Sequence, residues 1–186
     1  MQVDHTEGKL TFLNHHGEES EYDILQFHLH APSEHTIDGK YFDLELHIVH
    51  QLPNSDQLAV VGIFFDRMAG GEAENPFIES LQVDRLSSEE AVRVREIPLR
   101  QLAQQMSTSK IYNYEGSLTT PGCAETVNWI VLDDPQPIST RQLEAFQSLW
   151  SNNSAFAGGK GNNRVTMPLN GRKIFFKNDH RTAFLQ

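Results

Sequence analysis

Cysteine is almost missing from this sequence. Cys123 stands alone, which excludes a disulfide within the chain as given and any Cys-rich zinc finger. Cations are scarce too: 15 Lys and Arg face 25 Asp and Glu, a formal net charge of -10, and no cluster of basic side chains is visible. A surface that tracks phosphates needs such a cluster, so nucleic acid is not expected as a partner. No apolar run approaches the ~20 residues needed to cross a bilayer, so no membrane span is expected. The sequence as given opens without a basic and apolar leader and so carries no signal peptide. There is no internal repeat, and the one loose-looking stretch, residues 151–163, reads as a Ser/Asn/Gly-rich surface loop rather than a domain linker.

What is present describes an ordinary globular protein: 186 residues, 38% hydrophobic and 22% charged. One domain over residues 1–186 is expected, large enough to bury roughly 70% of the surface its unfolded form exposes. Histidine is abundant, with nine in all, and it clusters between His28 and His50.

Residues 23–30, 44–51, 57–65 and 127–132 read as strands, each short, rich in branched or aromatic side chains and bounded by turn formers. Helical signals are fewer. Ser139 and Gln142 form a capping box ahead of Leu143, Phe146 and Trp150 on one face, which predicts a helix over residues 139–150. Pro76 after Asn75 suits a first helical turn, and residues 99–106 give a third short candidate. Ile37-Asp38-Gly39 is a turn signal, so the first two strand-like runs are expected to be antiparallel neighbours joined by a loop.

Successive side chains in a strand alternate faces, so His28 and His30 point the same way while Leu29 points to the other side. On the next strand Glu45, His47 and Val49 share one face. If these strands pair, His47 completes a three-imidazole site. Three neutral nitrogen ligands with one open position is the arrangement of catalytic rather than structural zinc. A His-x-His pair alone is weak evidence, and paired surface or core histidines are the competing reading. Gln26 and Glu45 lie two residues before His28 and His47, placed to accept the second N–H of each ring, unless they are ordinary strand polars facing solvent. Taken alone, residues 117–122 are a loop with no catalytic weight.

Together, Gln26-Phe27-His28-Leu29-His30, Ser33-Glu34-His35-Thr36, Glu45-Leu46-His47-Ile48-Val49-His50 and Gly116-Ser117-Leu118-Thr119-Thr120-Pro121 closely resemble the alpha-class carbonic anhydrases. Order and spacing agree as well as residue types. The resemblance extends through residues 58–65, 127–131, 163–164 and 168–172, almost the whole chain. It implies a mainly β fold with small peripheral helices, built on a twisted, largely antiparallel central sheet with zinc at the base of a cone-shaped cavity. His28, His30 and His47 match the zinc ligands, and Gln26 and Glu45 match their outer partners. Thr119 matches a threonine whose hydroxyl donates to a buried glutamate, here Glu34. A carboxylate only accepts, so Thr119 must spend its proton there and keep its lone pairs for another donor. Val49, Val60, Leu118, Val127 and Trp129 match an apolar wall where carbon dioxide rests, with Thr120 beside it; plain core packing is the alternative for Val127 and Trp129. The implied activity is reversible hydration of carbon dioxide to bicarbonate and a proton by hydroxide held on zinc, with sulfonamides or small anions as inhibitors.

This sequence departs from that pattern at its start. In the family a sizeable portion precedes the strand that residues 1–5 resemble, so the domain is expected to lack it, along with the histidine that shuttles protons. His5, His15 and His16 are other imidazoles, none at the matching position. Gln2 resembles a polar cavity-lining position. Cys123 matches a position that, in secreted and periplasmic members, pairs with a cysteine in that same portion; export of the full-length form is therefore expected, with a buried free thiol in a reduced compartment as the alternative. Two rival readings remain: an acatalytic binding module on the same scaffold, and a cupin, whose metal motif His28-x-His30 with Glu34 partly imitates without the flanking glycines.

Overall fold

In this computed structural model the described residues are 2–4, 8–14, 16–86, 97–99, 101–102, 109–151, 154, 156, 158–177 and 183–184. The helical candidate at 99–106 falls largely outside them, as do His5 and His15. Leu99 and Leu102, which are described, are buried.

Runs of branched and aromatic residues with buried polar exceptions become a ten-stranded sheet. Its long central members are β3 (Glu19–His30), β6 (Leu44–Gln51), β7 (Leu58–Asp66) and β9 (Val127–Leu132). They match the four expected strands, with β3 extended at its start. The order is β11 (Phe175–Lys177), β8 (Ile111–Gly116), β9, β7, β6, β3, β2 (Lys9–Leu13) and β12 (Ala183–Phe184). Two further strands lie off this path: β1 (Gln2–Asp4) pairs the second half of β3, and β10 (Gln136–Pro137) pairs the end of β7. Pairing is antiparallel except where β7 meets β9 and β10, so the sheet is mixed but largely antiparallel. A parallel neighbour needs a long crossover, and residues 67–126, including β8, supply the one between β7 and β9.

The turn signal at Ile37-Asp38-Gly39 resolves into a small hairpin of its own, β4 (Thr36–Ile37) with β5 (Lys40–Tyr41), set between β3 and β6. Asp38 and Gly39 take φ of 52° and 76°, the left-handed pair that a two-residue hairpin turn requires.

The two sheet faces do different work. One buries Phe27, Leu29, Leu44, Leu46, Ile48, Val61, Ile63, Phe65, Ile130 and Leu132 under the helices. Helix α1 (Pro76–Ser80) delivers Phe77 against Phe27 and Phe65, with ring centroids at 6.0 and 6.3 Å. Helix α2 (Thr140–Ser148) delivers Leu143 and Phe146, with Trp150 just beyond its end. The Ser139–Gln142 capping box is formed. Gln142 does more than close it: its amide also takes Asn75 N at 2.9 Å and gives to Asn75 O at 3.0 Å, coupling the starts of both helices. Asn75 in turn caps α1 by accepting from Phe77 N and Ile78 N. The opposite face carries the smaller cluster of Phe42, Val49, Val60, Phe64, Val127, Trp129 and Val131, and it is this face that holds His28, His30 and His47.

Candidate metal centre

The register of β3 on β6 places His28 directly opposite His47, with His30 opposite Glu45. All four project from one face by alternation. His28 meets His30 and His47 edge on, with centroids 4.9 and 5.3 Å apart, and His30 and His47 are tilted on each other at 4.7 Å. One ligand nitrogen from each lies within 4.8 Å of the other two.

Hydrogen bonds decide which nitrogens those are. His28 Nδ1 donates to Gln26 Oε1 at 2.9 Å, leaving Nε2 with its lone pair. His47 Nε2 donates to Glu45 Oε1 at 2.8 Å, leaving Nδ1, since a carboxylate can only accept. His30 Nδ1 donates to the backbone carbonyl of Asn162 at 3.2 Å. Its Nε2 is buried without a hydrogen-bond partner. Burying such an acceptor unpaired is unfavourable, and a divalent cation shared with two other neutral imidazoles is the partner this donor set fits. Burial, then repulsion from the neighbouring imidazoles, holds His28 down to about 3 and His30 to about 4, so both rings are neutral near pH 7.

Glu45 is fully buried and accepts four N–H groups. Oε2 takes the backbone amides of Glu34 and His35 at 2.8 and 2.9 Å; Oε1 takes His47 Nε2 and His35 Nδ1, the latter at 2.6 Å. Burial alone would raise its pKa, but the His35 charge and the hydrogen bonds from His35 and His47 outweigh burial and hold the carboxyl well below the usual range. Burial likewise opposes the His35 cation, yet the charge and hydrogen bond of Glu45, with Glu34 behind it, raise that ring above its ordinary value. His35 Nε2 lies 2.6 Å from the Tyr114 hydroxyl, whose pKa burial and then the Glu45 charge push up. A continuous chain therefore runs Tyr114, His35, Glu45, His47.

Sequence reasoning quoted His35 without giving it a part and passed over Tyr114. The available signal was parity: Tyr114 is the β8 residue opposite Trp129, on the histidine face. It also missed Asn162, which lies in the stretch read as a surface loop. Asn162 Oδ1 accepts from Ala31 N at 2.9 Å and Nδ2 donates to Leu29 O at 3.0 Å, bracketing His30 on both sides. Gly161 before it packs so closely on Ala31 that an added Cβ would lie 2.2 Å from the Ala31 carbonyl oxygen. Two residues later, Arg164 N donates to Glu34 Oε1 at 2.7 Å.

Of the remaining expected residues, Glu34, Thr119 and Trp129 line a cavity of about 490 Å³ together with His35, Tyr114 and Ser117. Val49, Val60, Val127 and Trp129 form one buried apolar cluster with Leu118 packed against it, and the Trp129 ring sits 4.7 Å from His47. Thr120 is exposed at the turn. Thr119 and Glu34 line the same cavity, but no hydrogen bond joins them: Glu34 Oε2 has no hydrogen-bond partner. The 117–124 loop is instead tied at positions flanking Thr119, by Leu118 N to Ala124 O and Trp129 Nε1 to Ser117 O. Cys123, half-buried at a left-handed φ of 42°, gives its thiol to Thr120 O. Gln2 lies in β1 opposite His28, and its side chain is outside the described residues.

The family profile described as eukaryotic-type carbonic anhydrase matches residues 1–178. The chain belongs to that family. It is similar to the carbonic anhydrase of Dunaliella salina, at 40% identity over 161 residues that cover 81% of this chain and 26% of that protein. Among solved structures it is similar to a hyperthermostable carbonic anhydrase from an active hydrothermal vent chimney, with a TM-score of 0.75 and 33% identity, covering 94% of this chain and 71% of that one. A second is the alpha-carbonic anhydrase of Thermovibrio ammonificans in complex with the inhibitor sulfanilamide, with a TM-score of 0.65 and 34% identity, covering 93% and 76%. Other curated carbonic anhydrases are spanned over 53% to 63% of their length. Carbonic anhydrase fold and family together set aside the cupin reading.

Proposed function

We propose that this chain reversibly hydrates carbon dioxide, using zinc held by His28 Nε2, His30 Nε2 and His47 Nδ1. One observation carries the reading: each ring spends one nitrogen on a fixed acceptor and keeps the other, in a cluster where one nitrogen of each ring lies within 4.8 Å of the other two. Zinc, when bound, supplies the activation of water for which carbonic anhydrases are themselves the usual example.

The protein's own residues do the rest. Gln26, the Asn162 carbonyl and Glu45 fix ring orientation and tautomer. Glu34 keeps one carboxylate oxygen available beside Thr119; a Thr119 hydroxyl that donates there retains its lone pairs to accept from a donor in the cavity and so orients it. Val49, Val60, Leu118, Val127 and Trp129 offer an apolar wall suited to carbon dioxide, with Thr120 at its rim. The sulfanilamide complex of the Thermovibrio ammonificans relative supports a sulfonamide as inhibitor here.

Stopped-flow hydration of carbon dioxide tests the proposal on zinc-loaded protein, with His47→Ala as the control. Zinc-dependent turnover that a sulfonamide abolishes is expected; equal rates in the two proteins would remove the enzyme reading. A zinc-binding relative without turnover is the second reading, favoured by the missing Thr119 to Glu34 bond. It predicts metal uptake by the wild type with hydration no faster than the control.

A further inference from the structure

We propose that Gly62 is a positioning residue for the metal centre: its missing side chain is the space that lets Glu45 Oε1 reach His35 and His47 together. The inference rests on the metal reading above. Gly62 sits in the middle of β7, opposite His47 on one side and Val131 on the other. Its neighbours Val60, Val61, Ile63 and Phe64 are all buried apolar residues, the composition a central strand favours. Glycine weakens such a strand and leaves nothing to pack, so it marks close approach by another group. Backbone conformation does not call for it here, because its φ lies outside the left-handed region.

The group that approaches is the carboxylate. A Cβ added at Gly62 would lie 3.0 Å from Glu45 Oε1 and 3.5 Å from Val131 Cγ2. Oε1 has little freedom to retreat, since it accepts from His35 Nδ1 and His47 Nε2 while Oε2 is pinned by two backbone amides. A methyl group at position 62 therefore moves Oε1 by a few tenths of an ångström at the expense of its bond to His47 or His35. Because the His47 bond fixes which nitrogen faces the metal, the loss appears in metal affinity. The sheet itself gains a better strand residue.

Zinc affinity, measured by competition against chelators of graded strength, tests this alongside thermal unfolding of the metal-free proteins. Gly62→Ala is expected to bind zinc about tenfold more weakly, the scale of losing an outer partner of a ligand. Its metal-free Tm stays within a few degrees of wild type, because the better strand residue offsets the weakened carboxylate bond. In a Glu45→Ala background the methyl meets no carboxylate, so adding Gly62→Ala should change affinity less than about twofold. Equal affinities in wild type and Gly62→Ala, or an undiminished tenfold loss in the Glu45→Ala background, would each overturn the role of Gly62. Should Gly62→Ala fail to fold, the double variant must fold; if it also fails, the proposal is overturned. A wild type that takes up no zinc would sink the metal reading itself, a result distinct from equal affinities between two zinc-binding proteins.

Discussion

Asn162→Ala separates a clamp from a surface loop. The substitution keeps the backbone carbonyl that receives His30 Nδ1 but removes the amide that holds Ala31 N and Leu29 O, at 2.9 and 3.0 Å, on either side of His30. Each hydrogen bond contributes ~1 kcal/mol net, and a donor or acceptor left unpaired costs more, so the loss should total ~2–4 kcal/mol. Ala31 is buried, which limits rescue of its amide by water and favours the upper half of that range. Urea unfolding of the metal-free protein reads it as a lower midpoint at unchanged m value. The carbonyl loses its anchor at the same time, so zinc affinity should fall about tenfold. A shift below ~0.5 kcal/mol, the range of ordinary surface substitutions, would refute the reasoning and return residues 151–163 to the status of a loop.

Two further outcomes follow from the same geometry. Glu45→Gln replaces a pure acceptor with an amide that cannot satisfy four N–H donors; with its oxygen kept on the Glu34 and His35 amides, its NH₂ faces His47 and forces the proton of that ring onto Nδ1, the metal-facing atom. Zinc affinity should drop 10–100-fold or more in chelator competition, and an unchanged affinity would contradict the assigned tautomer. His50 is buried among the apolar residues of the helix-covered face, and burial holds its pKa down to about 4 against 6.5 when exposed. The unfolded chain therefore binds the extra proton first as pH falls, so stability from this residue is present above pH ~6.5 and shrinks toward pH 4, by about 3 kcal/mol in all. Urea unfolding of His50→Asn across that interval should show a shallower loss than wild type; parallel curves would exclude His50 as the source.

Alternation carried most of what was legible in the sequence. Gln26, His28 and His30 share one face of their strand and Glu45 and His47 one face of the next, so once the strands pair, the candidate ligands and two acceptors of their N–H groups fall together by period two. The capping box at Ser139 and Gln142 was equally local. What stayed hidden depends on distance along the chain. The acceptor for His30 is a backbone carbonyl 132 positions away, and every residue carries one. Gln142 reaching Asn75 and Tyr114 reaching His35 are hidden for the same reason, because tertiary packing alone brings them together. The hydrogen bond expected between Thr119 and Glu34 came from resemblance rather than from local pattern, and it is not formed.

The pairing of β3 with β6 has a consequence for assembly. All three donor rings sit within twenty residues of one another in sequence, on strands that contact across a short intervening hairpin, and such low-separation contacts form early. Asn162 and Arg164, which lock His30 and Glu34, lie 132 and 130 positions away along the chain, so their contacts close far longer loops. Gathering the donor nitrogens therefore closes a short loop, whereas aiming them depends on the most distant segment of the fold docking against it.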